Sequence, residues 1–222
     1  MGAPLPSRLE NDVGVHVSVP RPLVAPRGRY IVGHVSSFSD SVVWHGARLS
    51  PPPRAWVELG RTLNLADLVA VGDYLIHHEL PFCSAESLAH AVAEWGRRAG
   101  CGTLRTALPL LSDRAESRRE SLLRVLLVTS GFTGLHTNFW ITTSTGARYR
   151  GDLVFPAEKL VVEYQSRFHD NSKSFTDDMT RKSRLETDEW YVFEVNNADL
   201  DDPAELLMRL HTVLARRAVK SL

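Results

Sequence analysis

Apolar and polar positions recur along the chain with two different periods, and the period predicts the type of each element. Alternation with period two predicts strands over residues 13–20 and 30–35, which could form an antiparallel pair. After the proline run at residues 51–53, apolar residues at helical spacing predict four helices. Their predicted bounds are residues 54–63, 66–77, 84–98 and 103–111. The N-terminal region is therefore predicted to be a small α+β unit.

The pattern changes at Ser112 and Asp113, where we place the boundary between two regions, 1–112 and 113–222. Beyond it, the sequence predicts the order helix, three strands, helix, strand, helix. The predicted bounds are residues 113–130, 136–143, 149–155, 160–165, 175–187, 191–195 and 203–219. This order predicts an α/β domain, in which helices flank a mixed sheet.

Composition narrows the class of protein. The chain has 222 residues, of which 43% are hydrophobic, enough to build one large domain or two small ones. Lys+Arg and Asp+Glu both number 26, so a general basic coat for DNA is absent, although one local patch could still meet DNA. Cys83 and Cys101 show no zinc-binding spacing. Since neither a signal-peptide pattern nor a membrane-spanning apolar run occurs, we expect a cytoplasmic protein without a membrane partner.

Two carboxylates stand inside otherwise apolar predicted strands of the C-terminal region, Asp152 in one and Glu163 in the next. A buried carboxylate is costly unless it is paired or binds a metal. Glu163 and Gln165 are two residues apart and share a strand face, and a hairpin around residues 156–159 would bring Asp152 to them. Two carboxylates with an amide or backbone oxygen form a hard oxygen site suited to Mg²⁺. Such an ion can activate water and neutralise a scissile phosphate.

The order of motifs in this region resembles the PD-(D/E)XK nucleases, and more closely their Vsr-like endonuclease-domain family. The resemblance covers roughly residues 113–215 and implies a restriction-endonuclease-like mixed sheet flanked by helices. The matching residues are the segment 116–121, Gly151-Asp152-Leu153-Val154-Phe155-Pro156, Val162-Glu163-Tyr164-Gln165, His169, Phe175, Asp178, Arg181, Leu185 and the segments 190–195 and 199–200.

The resemblance implies a role for each matching polar residue. Asp152 and Glu163 would bind Mg²⁺ or Mn²⁺, and Glu120 would be the helix carboxylate that supports the metal or its water. Gln165 stands where many nucleases of the superfamily have a lysine, and it would position water or a ligand. His169 would assist as a general acid or base near the phosphate.

A basic cluster lies on the helix predicted over residues 175–187 and is the candidate contact with DNA. It comprises Arg181, Lys182 and Arg184. Arg181 could contact the DNA backbone or pair with Asp178, which lies about one helical turn earlier. The alternative for the cluster is a solvated helix face.

Each candidate of the acidic site also has a structural alternative. Asp152 and Glu163 could form ion pairs with Arg148 or Arg150 instead of binding metal. Glu120 could lie in a solvated first helical turn, and His169 could be a surface histidine in a polar loop.

The N-terminal region resembles the middle of AbiEi antitoxin-like proteins from Val13 to about Leu80. Those relatives usually have a winged helix-turn-helix upstream, and no room for one exists ahead of Val13, so we expect either a truncated chain or a start that is assigned too late. The matching segments are residues 15–20, 33–34, 53–59 and 67–73.

Three hypotheses of function follow from these patterns. The first is a Mg²⁺-dependent endonuclease that hydrolyses DNA phosphodiester bonds. The second is a catalytically weak nuclease fold that acts as a DNA-binding or antitoxin-like regulatory protein. The neutral net charge, Gln165 and Ser166 favour this hypothesis. Ser166 counts because the close family usually has glycine at that position. The third is a protein-interaction role of the N-terminal region. The expected partner is DNA, and the sequence also allows a homodimer or a toxin-like protein partner.

Overall fold

The structure is a computed structural model that describes residues 2–165 and 172–220, with backbone alone for residues 172–178 and 220. The N-terminal region contains two small sheets followed by four helices. Its elements are α1 (Ser7–Glu10), β1 (Val15–Pro20), β2 (Ile31–Ser36), β3 (Val42–Trp44), β4 (Ala47–Leu49), α2 (Pro52–Leu59), α3 (Leu65–Leu75), α4 (Ala85–Trp95), α5 (Cys101–Ala107) and the 3₁₀ turn Leu108–Leu110.

The four predicted helices of this region are confirmed, and two of them begin at side-chain caps. Asn64 accepts a hydrogen bond from the Asp67 backbone N–H at the start of α3, and Ser84 accepts one from Ser87 at the start of α4. The apolar faces of the helices form the first hydrophobic core, where Trp56 and Leu88 have no exposed surface.

The predicted antiparallel pairing of the first two strands is wrong, because β1 and β2 run parallel, with Val15 opposite Ile31. A hairpin would need a tight turn, whereas residues 21–30 form a long connection that returns the chain to the start of β1. The backbone N–H of Val15 donates to the Tyr30 carbonyl at that point.

The C-terminal region follows the predicted order of elements, with one additional short helix before the last helix. They are α6 (Arg118–Thr129), β5 (His136–Thr142), β6 (Arg148–Phe155), β7 (Leu160–Tyr164), α7 (Ser172–Thr187), β8 (Tyr191–Val195), α8 (Asn197–Asp201) and α9 (Pro203–Lys220). The strands form one sheet in the order β5-β6-β7-β8, with antiparallel pairs up to β7 and a parallel β7–β8 pair. The predicted α/β class, a mixed sheet flanked by helices, is confirmed.

Helices cover both faces of this sheet. On one face, Leu123 of α6 and Leu206 of α9 pack against Leu153 and neighbouring strand residues. On the other face, Leu185 of α7 packs with Val154 and residues of β5, β7 and β8. The sheet is therefore the middle layer between helices on its two faces.

The helix predicted from residue 113 begins only at Arg118. Ser117 caps it by accepting a hydrogen bond of 3.1 Å from the Glu120 backbone N–H. Residues 113–117 therefore precede the helix and are not part of it. Within the part of the chain that the structure describes, no helix is both long and apolar enough to span a bilayer.

Candidate functional site

Asp152 and Glu163 lie where β6 and β7 begin to separate. The predicted hairpin between these strands is confirmed, with Leu153 opposite Val162. Asp152 and Glu163 are the next residues beyond that pair. There the Asp152 side chain takes the place of a backbone acceptor, because its Oδ2 accepts a 3.1 Å hydrogen bond from the Tyr164 backbone N–H. Two strands thus present a carboxylate each at one point of the sheet.

The strand alternation is irregular around Asp152. A Cβ atom on Gly151 would lie 2.6 Å from Val161 Cγ1 and 2.7 Å from Val154 Cγ2, so Gly151 faces the α7 side together with Val154. Residues three apart in a regular strand face opposite sides. On the neighbouring strand β5, Thr137 lies opposite Leu153 and Phe139 lies opposite Gly151, as in a regular antiparallel pair. Asn138 between them has a φ of +48°. Such local irregularity redirects a side chain out of the regular pleat.

Gly151→Ala tests how tightly this irregularity is packed. The added methyl group would overlap buried valine side chains, and we expect a loss of about 1–3 kcal/mol in the free energy of unfolding. Gly102→Ala is the control, because a Cβ there meets open space in a helix and should cost nothing. Urea unfolding measures both variants, and an equal stability of the two would contradict the description.

Asn138 connects the irregular strand to Glu120. Its side-chain amide donates to Glu120 Oε2 at 3.2 Å and to the Arg114 carbonyl oxygen. Glu120 Oε2 also accepts a 3.1 Å hydrogen bond from the Glu116 backbone N–H, and Glu120 is only 9% exposed. The solvated first turn considered for Glu120 is therefore wrong. The sequence analysis missed Asn138, although asparagine within a strand pattern is uncommon and was an available signal.

The charges of this site are incompletely balanced. Burial, and to a smaller extent the nearby negative charge of Glu120, raises the pKa of Asp152 from 3.8 to about 6. The Tyr164 hydrogen bond and the charges of Arg181 and Arg150 oppose this rise. Because the net effect is a raised pKa, the environment of Asp152 disfavours the negative charge of its carboxylate beside that of Glu120. An added cation would be favoured there.

Glu163 has a cationic partner on α7. Arg181 Nη2 contacts Glu163 Oε1, and it also lies 3.4 Å from the Arg150 carbonyl oxygen. The predicted ion-pair alternative therefore named the wrong partner for Glu163, because Arg150 instead pairs with Glu116 at 2.6 Å. The Arg181 side chain is only 27% exposed, and this burial lowers the pKa of Arg181.

Three of the remaining predicted site residues, Lys182, Arg184 and Gln165, lie in the described part of the chain. Lys182 pairs with Glu194 at 3.2 Å, and Arg184 donates to the Tyr149 hydroxyl at 3.1 Å. Both contacts join α7 to strands of the sheet. The backbone N–H of Gln165 donates to the Val195 carbonyl at 2.7 Å. His169 and the side chain of Asp178 lie outside the described residues.

The donor set of the site agrees with a hard divalent cation, but its present arrangement does not enclose one. Asp152 provides a carboxylate whose charge is not fully neutralised, as a metal ligand requires. Glu163 provides a second, which Arg181 now neutralises. Among the described side chains of residues 2–165 and 179–219, no three His, Cys, Asp or Glu residues are grouped as a metal site would need. The guanidinium of Arg181 is thus the cation that the acidic pair meets in this structure.

Comparison with known proteins finds two relatives, both described as uncharacterised proteins of Mycobacterium tuberculosis, one from strain CDC 1551 / Oshkosh and one from strain ATCC 25618 / H37Rv. Each is 28% identical over 212 residues, which cover 93% of this chain and 76% of the relative. No protein-family model and no solved structure matches the chain. The fold defines an α/β protein with a four-stranded mixed sheet, and the alignment extends over both of its regions.

Proposed function

We propose that the C-terminal region is a metal-dependent DNA endonuclease-like domain that hydrolyses phosphodiester bonds. The observation behind this proposal is the raised pKa of Asp152, at a point where carboxylates from two strands and a helix approach one another. Titratable groups with strongly shifted pKa values are frequent at functional sites. The mixed sheet with flanking helices agrees with the restriction-endonuclease-like fold that the sequence resemblance implies.

Asp152 and Glu163 would hold the ion, Mg²⁺ or Mn²⁺, and Glu120 would support the site from the start of α6. When bound, such an ion supplies an activated water and neutralises charge on the scissile phosphate. The hydrogen bonds from Asn138 and Glu116 hold the Glu120 carboxylate in place, so its charge acts on Asp152 from a fixed position. Gln165 and His169 remain the candidates for positioning water and for proton transfer.

Arg181 would have two alternative partners in this proposal. It neutralises Glu163 in the present structure, and a DNA phosphate offers the same guanidinium a second anionic partner. A phosphate that attracted Arg181 would free Glu163 for the ion, so substrate and metal would bind together more tightly than either alone. Lys182 and Arg184 on the same helix remain candidate DNA contacts.

Plasmid nicking tests the proposed activity. The wild-type protein should nick supercoiled DNA with Mg²⁺ or Mn²⁺ and not with EDTA, while Asp152→Ala and Glu163→Ala should lose the activity. Glu189→Gln, an exposed acidic residue of a surface pair, is the control and should retain it. Equal nicking by wild type and both site variants would refute the assignment.

The alternative is a DNA-binding or antitoxin-like regulatory protein that does not cleave. The observation that favours it is the pairing of Arg181 with Glu163, which neutralises Glu163 without a metal. Its signature would be DNA binding that survives both carboxylate substitutions, with no nicking under any divalent ion. A homodimer or a toxin-like protein partner belongs to this alternative.

A further inference from the structure

An aromatic side chain lies half exposed between two arginines on the edge strand of the C-terminal sheet. Trp140 of β5 is 49% exposed. The guanidinium carbon of Arg148 lies 4.8 Å from its ring centroid, and that of Arg150 lies 5.9 Å away. Trp140 is paired with Arg150 in the β5–β6 register, and Arg148 is two residues earlier, so all three share one face of the sheet. This arrangement places a flat ring within a local positive field.

A groove adjoins this ring. It has a volume of about 500 Å³ and is lined by residues 135–140 together with Ser112 and Arg114. Trp140 lies at one end of the lining segment. Asn138, two residues away, contributes to the same groove and donates to Glu120 of the acidic site. A chain molecule bound along the groove would therefore contact both Trp140 and Asn138.

The charges beside Trp140 differ in availability. Arg150 is shared with Glu116 at 2.6 Å, and its charge also acts on Asp152. In contrast, none of the described carboxylates forms an ion pair with Arg148, whose described contact is the face of Trp140. Arg148 is thus the arginine best able to accept an external anion. A ring for stacking beside an available guanidinium is complementary to a nucleotide, which has a flat base and a phosphate.

We infer that Trp140 is a stacking platform for an unpaired base of single-stranded DNA, with Arg148 binding the adjoining phosphate. The inference rests on the proposed function, because that function supplies DNA as the ligand. An unpaired base is required because the exposed ring must meet a free base face, which duplex DNA keeps stacked against its neighbours. The groove then extends the binding surface from Trp140 to Asn138, the residue that donates a hydrogen bond to Glu120.

Binding in EDTA tests the inference without relying on cleavage. The probe is a fluorescein-labelled oligothymidylate, and its anisotropy is followed as the full chain is titrated. Trp140→Ala should weaken binding about tenfold, whereas Trp140→Phe should retain most of the affinity. Arg148→Ala should weaken binding and reduce its dependence on salt. Trp44→Ala is the matched control, since Trp44 is 45% exposed on the N-terminal β3 strand and should leave the affinity unchanged.

Three results would overturn the platform. They are wild-type-like binding by Trp140→Ala, an equal loss in Trp44→Ala, and no measurable binding by the wild type. Competition by the duplex, or by RNA of the same sequence, that equals or exceeds that of the single strand would overturn the assignment to unpaired DNA. The proposed nuclease activity can fail independently of the platform. Trp140-dependent binding without any metal-dependent nicking would refute the cleavage and support the platform.

Discussion

Asp152→Asn should stabilise the folded protein at pH 8 and lower metal-dependent DNA cleavage at least about a hundredfold. The two effects have one cause. The environment of Asp152 disfavours its negative charge, and a proposed metal ligand needs that charge. Asparagine has the same shape, and its carbonyl oxygen can still accept the Tyr164 hydrogen bond. The variant therefore removes the charge with little change in packing.

The sign of the pH dependence follows from the raised pKa. Asp152 has a pKa of about 6 in the folded protein, against an ordinary value of 3.8. The protonated form favours folding, so this contribution is fully present below about pH 4 and is lost as the pH rises through 6. Above pH 6 the ionised carboxylate should lower the free energy of unfolding by about 2 kcal/mol, after allowance for its partial exposure.

Urea unfolding in EDTA, near pH 4.5 and near pH 8, measures this effect apart from any metal. The advantage of Asp152→Asn over wild type should be larger at the higher pH. Asp188→Asn is a control of opposite sign, because hydrogen bonds from Ser144 lower the pKa of the exposed Asp188. Its contribution is present above the ordinary pKa and lost in acid. A parallel pH profile for the two variants would contradict the account of Asp152.

The approach of Asp152 and Glu163 could be predicted from sequence because it depends on a local hairpin. Two apolar strands separated by residues 156–159 leave few other pairings, and the period of two then places the carboxylates near each other. The order of helices and strands was predictable for the same reason, since each element has its own apolar pattern.

The contacts that complete the site could not be predicted in this way. Arg181 reaches Glu163 from α7, and Asn138 of β5 reaches Glu120 of α6, so both contacts depend on packing between distant segments. The parallel direction of β1 and β2 also depends on the path of the long connection, which local periodicity does not describe. Sequence patterns thus identified the acidic residues, whereas the partners that set their charges required the structure.

Helix α6 links the acidic site to the N-terminal core. Its first turn contains Glu120, and Val125 on the same helix packs into the first hydrophobic core. Two ion pairs join α6 to α3, Arg118 with Asp67 at 2.5 Å and Arg124 with Asp73 at 2.6 Å. The N-terminal region therefore holds the helix that presents Glu120, and damage to this interface should affect the whole chain.

Asp73→Ala should be the most destabilising single substitution at that interface, with a loss of about 3–5 kcal/mol in the free energy of unfolding. Asp73 is 1% exposed and accepts hydrogen bonds from the Ser121 hydroxyl, the Ser112 backbone N–H and Arg124. Burial raises the pKa of Asp73, and Arg124 opposes that rise, so each charge depends on the other. Without Asp73, the Arg124 guanidinium stays buried and lacks its counterion.

The double variant Asp73→Leu with Arg124→Met separates the ion pair from its surroundings. Replacing both members of a buried pair by apolar residues is often nearly neutral, so the double variant should be more stable than Asp73→Ala. Glu194→Ala breaks the exposed pair with Lys182 and should cost less than about 1 kcal/mol. Urea unfolding compares the three. If Asp73→Ala lost no more stability than Glu194→Ala, α6 would not depend on α3 for its position. Glu120 would then be held by contacts within the C-terminal region.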